Sequence, residues 1–587
     1  MNPTTRNPDV PIENLAIGTI IEVDGSRVIA ELDPRLNELS RVYAGEAYPI
    51  GQFGSVVKVH FGRRLIYGLV GRLRMKAEYE AERGLVPQAG VDERILEADL
   101  FGEGEWHRHA SGAPAGWVLK FERGVATYPL PQQTVYLTPK SELRAIYGPV
   151  GDAVIQLGEH VGSGGAPCFA DMNELLGKHT AVLGSTGAGK SGAVAAIVHS
   201  ILDHRASTGG TWKPRIVILD PHNEYSAAFT QHDRLSTDEG SLPLPYWLLN
   251  LDETLSLLIG KTEYAATSQS NIVKNALLNA RRGAAGESLA LDPTRLTVDS
   301  PVPYVLGDPS GLDEFGENGG IKYDVGFVGH VNAQRPNNRD KKAHEDYNKV
   351  LRKLESLLND ARLAFMMTPW DGKADPIPQS LGQLMGEGSD VRVVDLSGVP
   401  NEIAGTASAA VARMLFAVKV WQTQEERRSS PVLLVCEEAH RYVPNTGGAQ
   451  YEAAQDAIRR LAKEGRKYGI GLMLVSQRPS EVETTVLSQC NSWIVLRIAN
   501  ESDREHVRAI LPDSMAGLTS VLSGLRRQEA MFVGLAATIP SRIMIRTLAP
   551  EQLPSSSDID FDAGWQHPPL SEDELREVAE RWRYQQR

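Results

Sequence analysis

Apolar and polar positions alternate in short runs between about residue 13 and residue 150, and turn residues separate these runs. The stretch GTIIEVDGSRVIAEL predicts two strands joined by an Asp-Gly turn. The stretches SVVKVHFGRRLIYGLVGRL, WVLKFERGVATYPL and TVYLT continue the pattern. Closely spaced short strands are typical of a small barrel or sandwich. We therefore predict a β-barrel domain over residues 13–150, preceded by a flexible tail over residues 1–12.

From about residue 171 the pattern changes to near-continuous apolar runs that alternate with helical segments. The runs are TAVLG, RIVILD, VRVVDL, PVLLVCEE, GLMLVSQ and SWIVLRI. Parallel strands that are covered on both faces have this composition, rich in Val, Ile and Leu. Their alternation with helices predicts a doubly wound α/β sheet. We assign its two parts to residues 151–251 and 376–548.

Between the two parts of this core, residues 252–375 have helical spacing and no strand-like run. Two long helical segments flank the stretch DSPVPYVLGDPSGLDEFGENGG, whose Pro and Gly content indicates a break. The pattern predicts a helical subdomain inserted into the α/β core. After residue 548 the chain continues as a polar tail and an amphipathic helix from about Ser571.

A glycine-rich octet, GSTGAGKS, joins the apolar run at residues 179–183 to an alanine-rich helical run. It fully matches the phosphate-binding pattern G-x-x-x-x-G-K-[ST]. Its glycines permit positive φ and let backbone N–H groups approach phosphate oxygens at a helix N-terminus. The predicted ATP-binding residues are Gly184, Ser185, Thr186, Gly187, Ala188, Gly189, Lys190 and Ser191. We expect Lys190 on the β- and γ-phosphates and the Ser191 hydroxyl on Mg²⁺, whereas an ordinary glycine turn has no use for this Lys-Ser ending.

An acidic pair follows another apolar run, in PVLLVCEEAHRYVP. We expect Glu437 to hold Mg²⁺ through water and Glu438 to polarise the attacking water as the general base. Taken alone, the segment would also fit a strand that runs into a solvated acidic loop. The octet upstream in the same chain favours the catalytic interpretation.

Two further strand ends carry polar residues, at the edge where a doubly wound sheet places its ligands. The segment RIVILDPHNEY supplies Asp220 and Glu224, and GLMLVSQRPS supplies Gln477. A polar side chain such as Gln477 could sense the γ-phosphate or position water. The alternatives are a capping role for Asp220 and a plain turn at Gln477.

Five basic residues precede the last of these strands, in RRLAKEGRKYGIG: Arg459, Arg460, Lys463, Arg466 and Lys467. On a helix they would form a solvated face. Alternatively, one of them is an arginine finger that stabilises γ-phosphate charge across a subunit boundary, an effect of about 10³–10⁵ in rate. Spacing alone leaves both alternatives open.

Composition and charge set the broad class of the protein. The chain has 587 residues, of which 42% are hydrophobic and 23% charged; this is typical of a globular protein with several domains. We find no run of about 18 apolar residues and no secretion signal, and the three cysteines lack metal-ligand spacing. We therefore expect a reducing, cytoplasmic location and no membrane span. The net charge of −13 argues against a protein that coats nucleic acid, but a ring that threads DNA needs a positive lining only in its channel.

Together these motifs resemble the HerA-type ATPases of the FtsK/HerA branch of P-loop motor proteins. The resemblance is carried by VLGSTGAGKS, LDPHNEY, VVDLSGVP, LLVCEEAHRYVP, EGRKYGIGLMLVSQRPS and GLRRQEAMFVGLAATIPSRIMI. These segments occur in the family's order between about residues 180 and 546. The resemblance implies a RecA-like P-loop ATPase core, a HAS barrel at residues 13–150 and a C-terminal brace at residues 549–587.

The resemblance also implies a homohexameric ring, with ATP and Mg²⁺ at subunit interfaces and DNA in the channel. It implies that Glu438 is the catalytic glutamate, that Asp220 and Glu224 are site acids, that Gln477 is a sensor and that Arg466 is the finger or sensor arginine. Many relatives have Asp in place of Glu437. The longer side chain is expected to shift the water on Mg²⁺ without abolishing hydrolysis.

A partner docked on the barrel is a further implication of the resemblance. It would be a NurA-like nuclease in DNA end processing, or a sirtuin-like or nuclease effector in anti-phage defence. The long insertion favours the defence setting.

Two alternatives to a DNA motor remain. One is a hexameric scaffold whose effector is regulated by nucleotide, and the other is a secretion or conjugation ATPase, which would usually carry a membrane anchor.

Candidate DNA contacts are Arg441, Tyr442 and the cluster at residues 335–342. For each of them the alternative is an ordinary solvated surface.

Overall fold

A computed structural model of the protein describes residues 10–584 except residues 37, 87–92, 109–116, 150, 162–164, 208–211, 238, 243, 260–265, 317–324, 446–451, 512–520 and 556–560. Its contacts divide the chain into two compact units. The first consists of residues 1–204, 477–480 and 490–548, and the second of residues 205–476, 481–489 and 549–587. Most of the predicted flexible tail, up to residue 9, lies outside the described residues.

The first unit begins with an antiparallel β-barrel. Its strands are β1 (Ala16–Asp24), β2 (Arg27–Leu32), β3 (Ser40–Tyr43), β4 (Glu46–Pro49), β5 (Val56–Phe61), β6 (Arg64–Met75), β7 (Arg94–Arg108), β8 (Trp117–Arg123) and β9 (Thr134–Leu137), and its helices are α1 (Lys76–Glu82) and α2 (Lys140–Ile146). Strands β2, β1, β9, β5, β6 and β7 are neighbours in that order, and β2 also pairs with β7, which closes a six-stranded barrel. Strand β8 pairs with β7 outside this ring, and β3 and β4 form a separate hairpin.

The barrel follows from the alternation that the sequence shows. The predicted Asp-Gly turn joins β1 to β2, with Asp24 paired to Arg27 and Gly25 at a φ of +56°. Inward-facing aliphatic side chains such as Ile20 and Ile66 pack in one buried cluster. Burial of each such side chain contributes roughly 1.5–3 kcal/mol to folding.

The α/β core begins with β10 (Val154–His160), β11 (Ala166–Asp171), β12 (Thr180–Leu183), α3 (Met172–Gly177) and α4 (Lys190–Ser207). Asp171 caps α3 by accepting a hydrogen bond of 2.9 Å from the Glu174 N–H. Every side chain of α4 from Ala193 to Ile201 is buried. A helix that is apolar on all sides in this way lies within a core.

Strands β13 (Ile216–Asp220) and β14 (Asp233–Ser236) precede the inserted helices, which are α5 (Leu251–Leu258), α6 (Ala266–Glu287), α7 (Gly326–Asn332), α8 (Lys341–Leu358), α9 (Ala364–Met367) and α10 (Ile377–Met385). Asn250 and Glu253 form a capping box at the start of α5. The buried Arg281 of α6 donates to the carbonyl oxygens of Trp247 and Leu249, at 3.1 and 2.6 Å. These bonds pair one terminal nitrogen of the guanidinium, whose Nε atom has no partner within the described residues, and they hold α6 against the segment before α5.

The second part of the core contains β15 (Val391–Asp395), α11 (Asn401–Trp421), α12 (Gln424–Ser429), β16 (Val432–Cys436), α13 (Glu452–Glu464), β17 (Ile470–Ser476), α14 (Thr484–Leu487), β18 (Ser492–Leu496), α15 (Glu501–Ile510), β19 (Glu529–Gly534) and β20 (Ser541–Ile545). The chain ends with α16 (Phe561–Trp565) and α17 (Glu572–Tyr584). Neither of these last two helices has a buried side chain.

The core strands of the first unit are β11, β10, β20, β19, β18 and β12, which are hydrogen-bonded neighbours in that order. Strands β12 and β18 are parallel, with Thr180 opposite Ser492 and Leu183 opposite Val495. The remaining pairs are antiparallel. The carboxyl ends of β12 and β18 therefore lie side by side.

The core strands of the second unit are β17, β16, β13, β15 and β14, in that order, and all are parallel. Every residue of β13, β15, β16 and β17 is buried. This explains why these strands are near-continuous apolar runs in the sequence.

The predicted fold class is confirmed. The protein is an α/β protein with a RecA-like P-loop ATPase core, an N-terminal antiparallel barrel and a set of helices inserted between β14 and β15. The residue boundaries assigned to the domains stay predictions.

One helix bears on the expectation that the chain has no membrane span. The segment Ile403–Trp421 of α11 is long and apolar enough to cross a membrane by length and composition, and 72% of the tested stretch is buried inside the protein. In the sequence this segment is not a continuous apolar run, because it contains Arg413 and Lys419. A core helix passes the same test, because it is also long and apolar.

The three cysteines are buried and form no disulfide. Burial raises the pKa of the Cys168, Cys436 and Cys490 thiols above the ordinary range. They are therefore protonated at neutral pH and unreactive as nucleophiles.

Candidate functional site

The octet of residues 184–191, hereafter the P-loop, connects the end of β12 to the start of α4. Gly187 and Gly189 have φ values of +73° and +99°, in the left-handed region that favours glycine. At Gly184 a Cβ atom would lie 2.9 Å from the Leu496 Cβ, so the backbone there approaches β18 closely. The positive φ values expected of the glycines are thus found at two of them.

The segment after β18 supports the P-loop. The Ser185 N–H donates to the Arg497 carbonyl oxygen at 2.8 Å, and the Ser185 hydroxyl accepts from the Ala499 N–H at 3.0 Å. The N–H and hydroxyl groups of Ser185 are therefore engaged in hydrogen bonds that hold the P-loop in place. The N–H groups of later loop residues remain the ones suited to binding phosphate.

Gln477, the predicted sensor, contacts the P-loop directly. The Thr186 hydroxyl donates a hydrogen bond of 2.5 Å to the Gln477 side-chain oxygen. The two residues are 291 positions apart in the chain. The structure thus brings Gln477 to the predicted ATP-binding residues, and a plain turn would not require such a contact.

In the second unit three neighbouring strands end at one edge. Leu219 lies opposite Cys436 in the pair of β13 and β16, and Cys436 lies opposite Leu474 in the pair of β16 and β17. Asp220 ends β13, the acidic pair follows β16, and Ser476 ends β17. The parallel register therefore gathers polar groups where this sheet type places its ligands.

Asp220 is fully buried and caps the turn that follows it. Its carboxylate accepts hydrogen bonds from the N–H groups of His222 at 3.2 Å and Tyr225 at 2.9 Å. Burial raises the pKa of Asp220, and these backbone donors oppose the shift. The capping role considered as an alternative is therefore present, and a role as a site acid stays a prediction.

Glu224 lies four residues after Asp220, in the same turn. Its Oε2 atom is buried and accepts no hydrogen bond within the described residues. A buried carboxylate oxygen without a partner is costly and is commonly completed by a cation or by water. This observation fits the predicted position of Glu224 among the site acids.

Glu437 is buried, and its Oε2 atom accepts a hydrogen bond of 2.5 Å from the Tyr225 hydroxyl. Burial and the nearby Glu437 carboxylate raise the pKa of Tyr225 well above its usual value. The phenol therefore remains a donor at all physiological pH values. Sequence reasoning missed Tyr225, although it follows the acids directly in LDPHNEY.

Glu438, the predicted general base, has a left-handed backbone with φ +53° and ψ +51°. A non-glycine residue in this region is strained, and such strain concentrates at functional sites. Its Oε2 atom lies 3.2 Å from the His440 Nδ1 but is not aligned to accept a hydrogen bond. The same Nδ1 lies 3.4 Å from the Ser476 hydroxyl. His440 is thus a second residue that sequence reasoning missed.

The basic residues of the candidate finger segment, residues 459–467, differ in the contacts that they make. The Arg459 Nε donates to Glu483 at 2.7 Å, and the Arg460 guanidinium lies over the Phe416 ring at 4.5 Å. Arg466 is exposed, and within the described ranges its guanidinium forms no hydrogen bond or ion pair. Arg459 and Arg460 make contacts within the chain, which leaves Arg466 and the exposed Lys463 and Lys467 available to another molecule.

The candidate DNA contacts differ in their exposure and in their hydrogen bonds. Tyr442 is only 2% exposed, so its side chain is not available at the surface of this chain, and that candidate is wrong. Arg335 donates to the side-chain oxygens of Asn332 and Asn348, at 2.9 and 3.0 Å, and so helps to pack α7 against α8. Arg441 is partly exposed and stays a candidate.

The donors of the predicted site suit Mg²⁺, which prefers hard oxygen ligands and usually keeps several waters. They are the Ser191 hydroxyl and, through water, the Glu437 carboxylate, and among the neighbouring acids one oxygen of Glu224 is buried without a hydrogen bond within the described residues. In the part of the chain that the structure describes, no three His, Cys, Asp or Glu side chains form a cage for a metal. This is expected for an ion that is bound together with substrate phosphates.

Part of the chain matches a known protein family. Residues 155–415 match the family model described as the central domain of helicase HerA. This part of the chain is similar to the central domain of HerA helicases. The match begins in β10 and ends within α11, so it includes the P-loop and the inserted helices, whereas the acidic pair lies beyond it.

Similarity to known proteins extends beyond the matched residues. The DNA double-strand break repair helicase HerA of Pyrococcus furiosus is 26% identical over 453 residues, which are 70% of this chain and 72% of the relative. The helicase of the same name from Sulfolobus acidocaldarius is 24% identical over 425 residues, which are 71% and 73% of the two chains. Among solved structures, VirB4 of Thermoanaerobacter pseudethanolicus is 18% identical with a TM-score of 0.43, covering 68% of this chain and 97% of that one. The family match and the two helicase relatives support an ATP-hydrolysing enzyme of the helicase class.

Proposed function

We propose that the protein is an ATP-driven motor that translocates DNA. The observation that carries the proposal is the presence in one chain of a complete P-loop, with two of its glycines in the left-handed region, and of an acidic pair at the end of a buried parallel strand. The relatives named above are DNA double-strand break repair helicases, which supports DNA as the polymer that is moved.

The proposed chemistry assigns one task to each group of residues. The N–H groups of the P-loop and Lys190 hold the phosphates of ATP, and Ser191 and Glu437 hold Mg²⁺, with Glu437 acting through water. When bound, Mg²⁺ neutralises charge on the phosphates. Glu438 accepts a proton from the attacking water, and Gln477 senses the state of the phosphates through its hydrogen bond with Thr186 of the P-loop.

We further propose a homohexameric ring with ATP at the subunit boundaries. The free and exposed guanidinium of Arg466 supports this assembly, because a finger must be unpaired in its own subunit to reach the nucleotide of its neighbour. DNA would pass through a positively lined channel while the outside stays acidic, consistent with the net charge of −13. A nuclease or defence effector would dock on the N-terminal barrel, in the cytoplasm.

Turnover with and without DNA tests the motor proposal. The wild-type protein should hydrolyse ATP faster when duplex DNA is added, and Lys190→Ala and Glu438→Gln should each lower turnover by about 10²-fold or more. Glu425→Gln, at an exposed position in α12, is the matched control and should leave turnover unchanged. Particle mass, measured with and without ATP and DNA, tests the ring.

Two results would overturn the proposal. One is a wild-type protein whose ATPase rate and particle mass do not respond to DNA at low ionic strength, where backbone contacts are strongest. The other is a Glu438→Gln protein that supports full activity of its effector. That second result would favour a nucleotide-regulated scaffold, because hydrolysis would then not be needed.

A further inference from the structure

A tight turn in the first unit lies against the P-loop. It spans residues 526–529, and the Glu529 N–H donates to the Arg526 carbonyl oxygen at 3.1 Å. The Gln528 N–H donates to the Ala188 carbonyl oxygen at 3.1 Å, and a Cβ at Gly189 would lie 3.2 Å from the Gln528 Cγ. The tip of this turn is therefore in direct contact with the loop that holds the phosphates.

Gln528 adopts a backbone conformation that glutamine rarely takes. Its φ is +64°, at the turn position where type II turns usually carry Gly or Asn. Its carbonyl oxygen accepts from the Ile545 N–H at 3.0 Å, at the end of β20. Gln528 is thus held on one side by the P-loop and on the other by the sheet, and this fixes the direction of the turn.

Some charged side chains of the turn form ion pairs and one does not, within the described residues. Glu529 is buried and pairs with both Arg526, at 3.2 Å, and Arg542, at 2.9 Å. Arg527 lies between these anchored residues and is exposed. Within the described residues its guanidinium has no hydrogen bond or ion pair. The turn therefore presents one unpaired positive charge next to the P-loop of the same chain.

We propose that Arg527 is a further nucleotide-binding residue, which contacts the phosphates of the ATP bound by its own P-loop. A guanidinium is suited to this task, because it offers several donors in a plane that matches two phosphate oxygens. The strained backbone of Gln528 serves to place it there. Unlike Arg466, which we propose to act on a neighbouring subunit, Arg527 acts within its own chain. This inference rests on ATP binding at the P-loop and does not depend on DNA translocation.

Binding of a series of nucleotides tests the assignment. In the full-length protein carrying Glu438→Gln, which prevents turnover, the dissociation constants of ATP, ADP, AMP and adenosine are measured by calorimetry with and without Arg527→Ala. We expect Arg527→Ala to weaken ATP and ADP about tenfold, AMP less and adenosine not at all. Arg527→Lys should recover part of the loss, since it restores the charge without the planar donors. Raising the ionic strength should reduce the difference.

Two controls separate a contact from a change in fold. Arg526→Ala removes the neighbouring arginine, whose partner Glu529 keeps Arg542, and should leave nucleotide affinity unchanged. The melting temperature of Arg527→Ala should equal that of the parent protein, since the exposed Arg527 side chain forms no hydrogen bond or ion pair within the described residues. Equal affinities of the Arg527→Ala and parent proteins for ATP would overturn the inference. So would a loss of affinity that is the same for adenosine as for ATP, because the contact would then be to the nucleoside.

The failure of this inference can be told apart from failure of the motor proposal. If the parent protein binds ATP but does not respond to DNA, the motor proposal fails and the test of Arg527 is unaffected. If DNA stimulates turnover and Arg527→Ala binds ATP normally, only the assignment of Arg527 fails.

Discussion

The Thr186 hydroxyl donates a 2.5 Å hydrogen bond to the side-chain oxygen of Gln477, and so joins the P-loop to the residue that follows β17. Thr186 is exposed, so this bond is the main constraint that the structure shows on its side chain. A change in the P-loop on phosphate binding or release would be transmitted to Gln477 through it.

We therefore predict that Thr186→Val lowers turnover by about 2–10-fold, the effect of losing one hydrogen bond, and changes ATP affinity little. Thr186→Ser keeps the hydroxyl and should behave like the wild type. Gln477→Ala should cause a loss at least as large, and the double variant should lose no more than Gln477→Ala alone. Steady-state ATPase kinetics provide the measurement. Additive losses would show that the two residues act independently.

The hydrogen bond from Tyr225 to Glu437 leads to a second prediction, on the response to Mg²⁺. Without the phenol hydroxyl, the buried carboxylate is less firmly oriented toward the metal's water. Tyr225→Phe should raise the Mg²⁺ concentration for half-maximal turnover by about several-fold and lower the free energy of unfolding by about 1–2 kcal/mol.

The checks for this second prediction are an Mg²⁺ titration of ATPase activity and urea unfolding. Tyr584→Phe, at an exposed position in α17, is the matched control and should change neither quantity. A Tyr225→Phe protein with an unaltered Mg²⁺ response would show that the hydroxyl contributes only to folding.

Local chemistry is the part of this protein that the sequence predicts best. The P-loop conformation follows from its own eight residues, because only glycine accepts the φ values of +73° and +99° without strain. The barrel and the parallel strands follow from patterns of period two and from continuous apolar runs, which depend on burial alone. These features need no knowledge of distant residues.

The contacts that the sequence could not supply are those between distant segments. Tyr225 meets Glu437 across 212 positions, and the pairing follows from the register of β13 with β16. The Gln528 contact with Ala188 similarly depends on how β19 and β20 pack in the first unit. A basic stretch likewise does not reveal that Glu483 engages Arg459 and leaves Arg466 free. Such choices are set by tertiary packing.

A third prediction concerns the dependence of stability on pH. Lys419 in α11 is fully buried, and its ammonium donates to the Ser430 hydroxyl at 2.7 Å. Burial, with a smaller contribution from Arg215, lowers the pKa of Lys419 to about 8 from its ordinary 10.5. Below pH 8 the lysine is charged in both states, so the cost of burying its charge is fully present. Between pH 8 and 10.5 the folded protein releases the proton while the unfolded chain keeps it, so this group makes the protein more stable as pH rises.

The measurement is the difference in free energy of unfolding between the wild type and Lys419→Met, followed from pH 7 to 10. Above pH 8, the free energy of unfolding of the wild type should rise relative to that of the variant by up to about 1.4 kcal/mol per pH unit. Lys467→Met removes an exposed lysine and should give a curve parallel to the wild type. Parallel curves for Lys419→Met as well would mean that its ammonium is solvated.

The last prediction tests whether Arg466 acts on the nucleotide of a neighbouring subunit. Arg466→Ala and Lys190→Ala should each abolish turnover when every subunit carries the same change. In a mixed ring, an Arg466→Ala subunit keeps a working P-loop, and a Lys190→Ala neighbour keeps the arginine. Some boundaries in mixed rings therefore contain both groups, and turnover should return to a measurable fraction of the wild-type rate. If Arg466 instead served its own P-loop, no subunit in the mixture would have both groups, and activity would stay absent. The negative control is a mixture of Lys190→Ala and Glu438→Gln subunits. We assign Lys190 and Glu438 to the same nucleotide in one subunit, so no subunit of this mixture has both groups and turnover should stay absent.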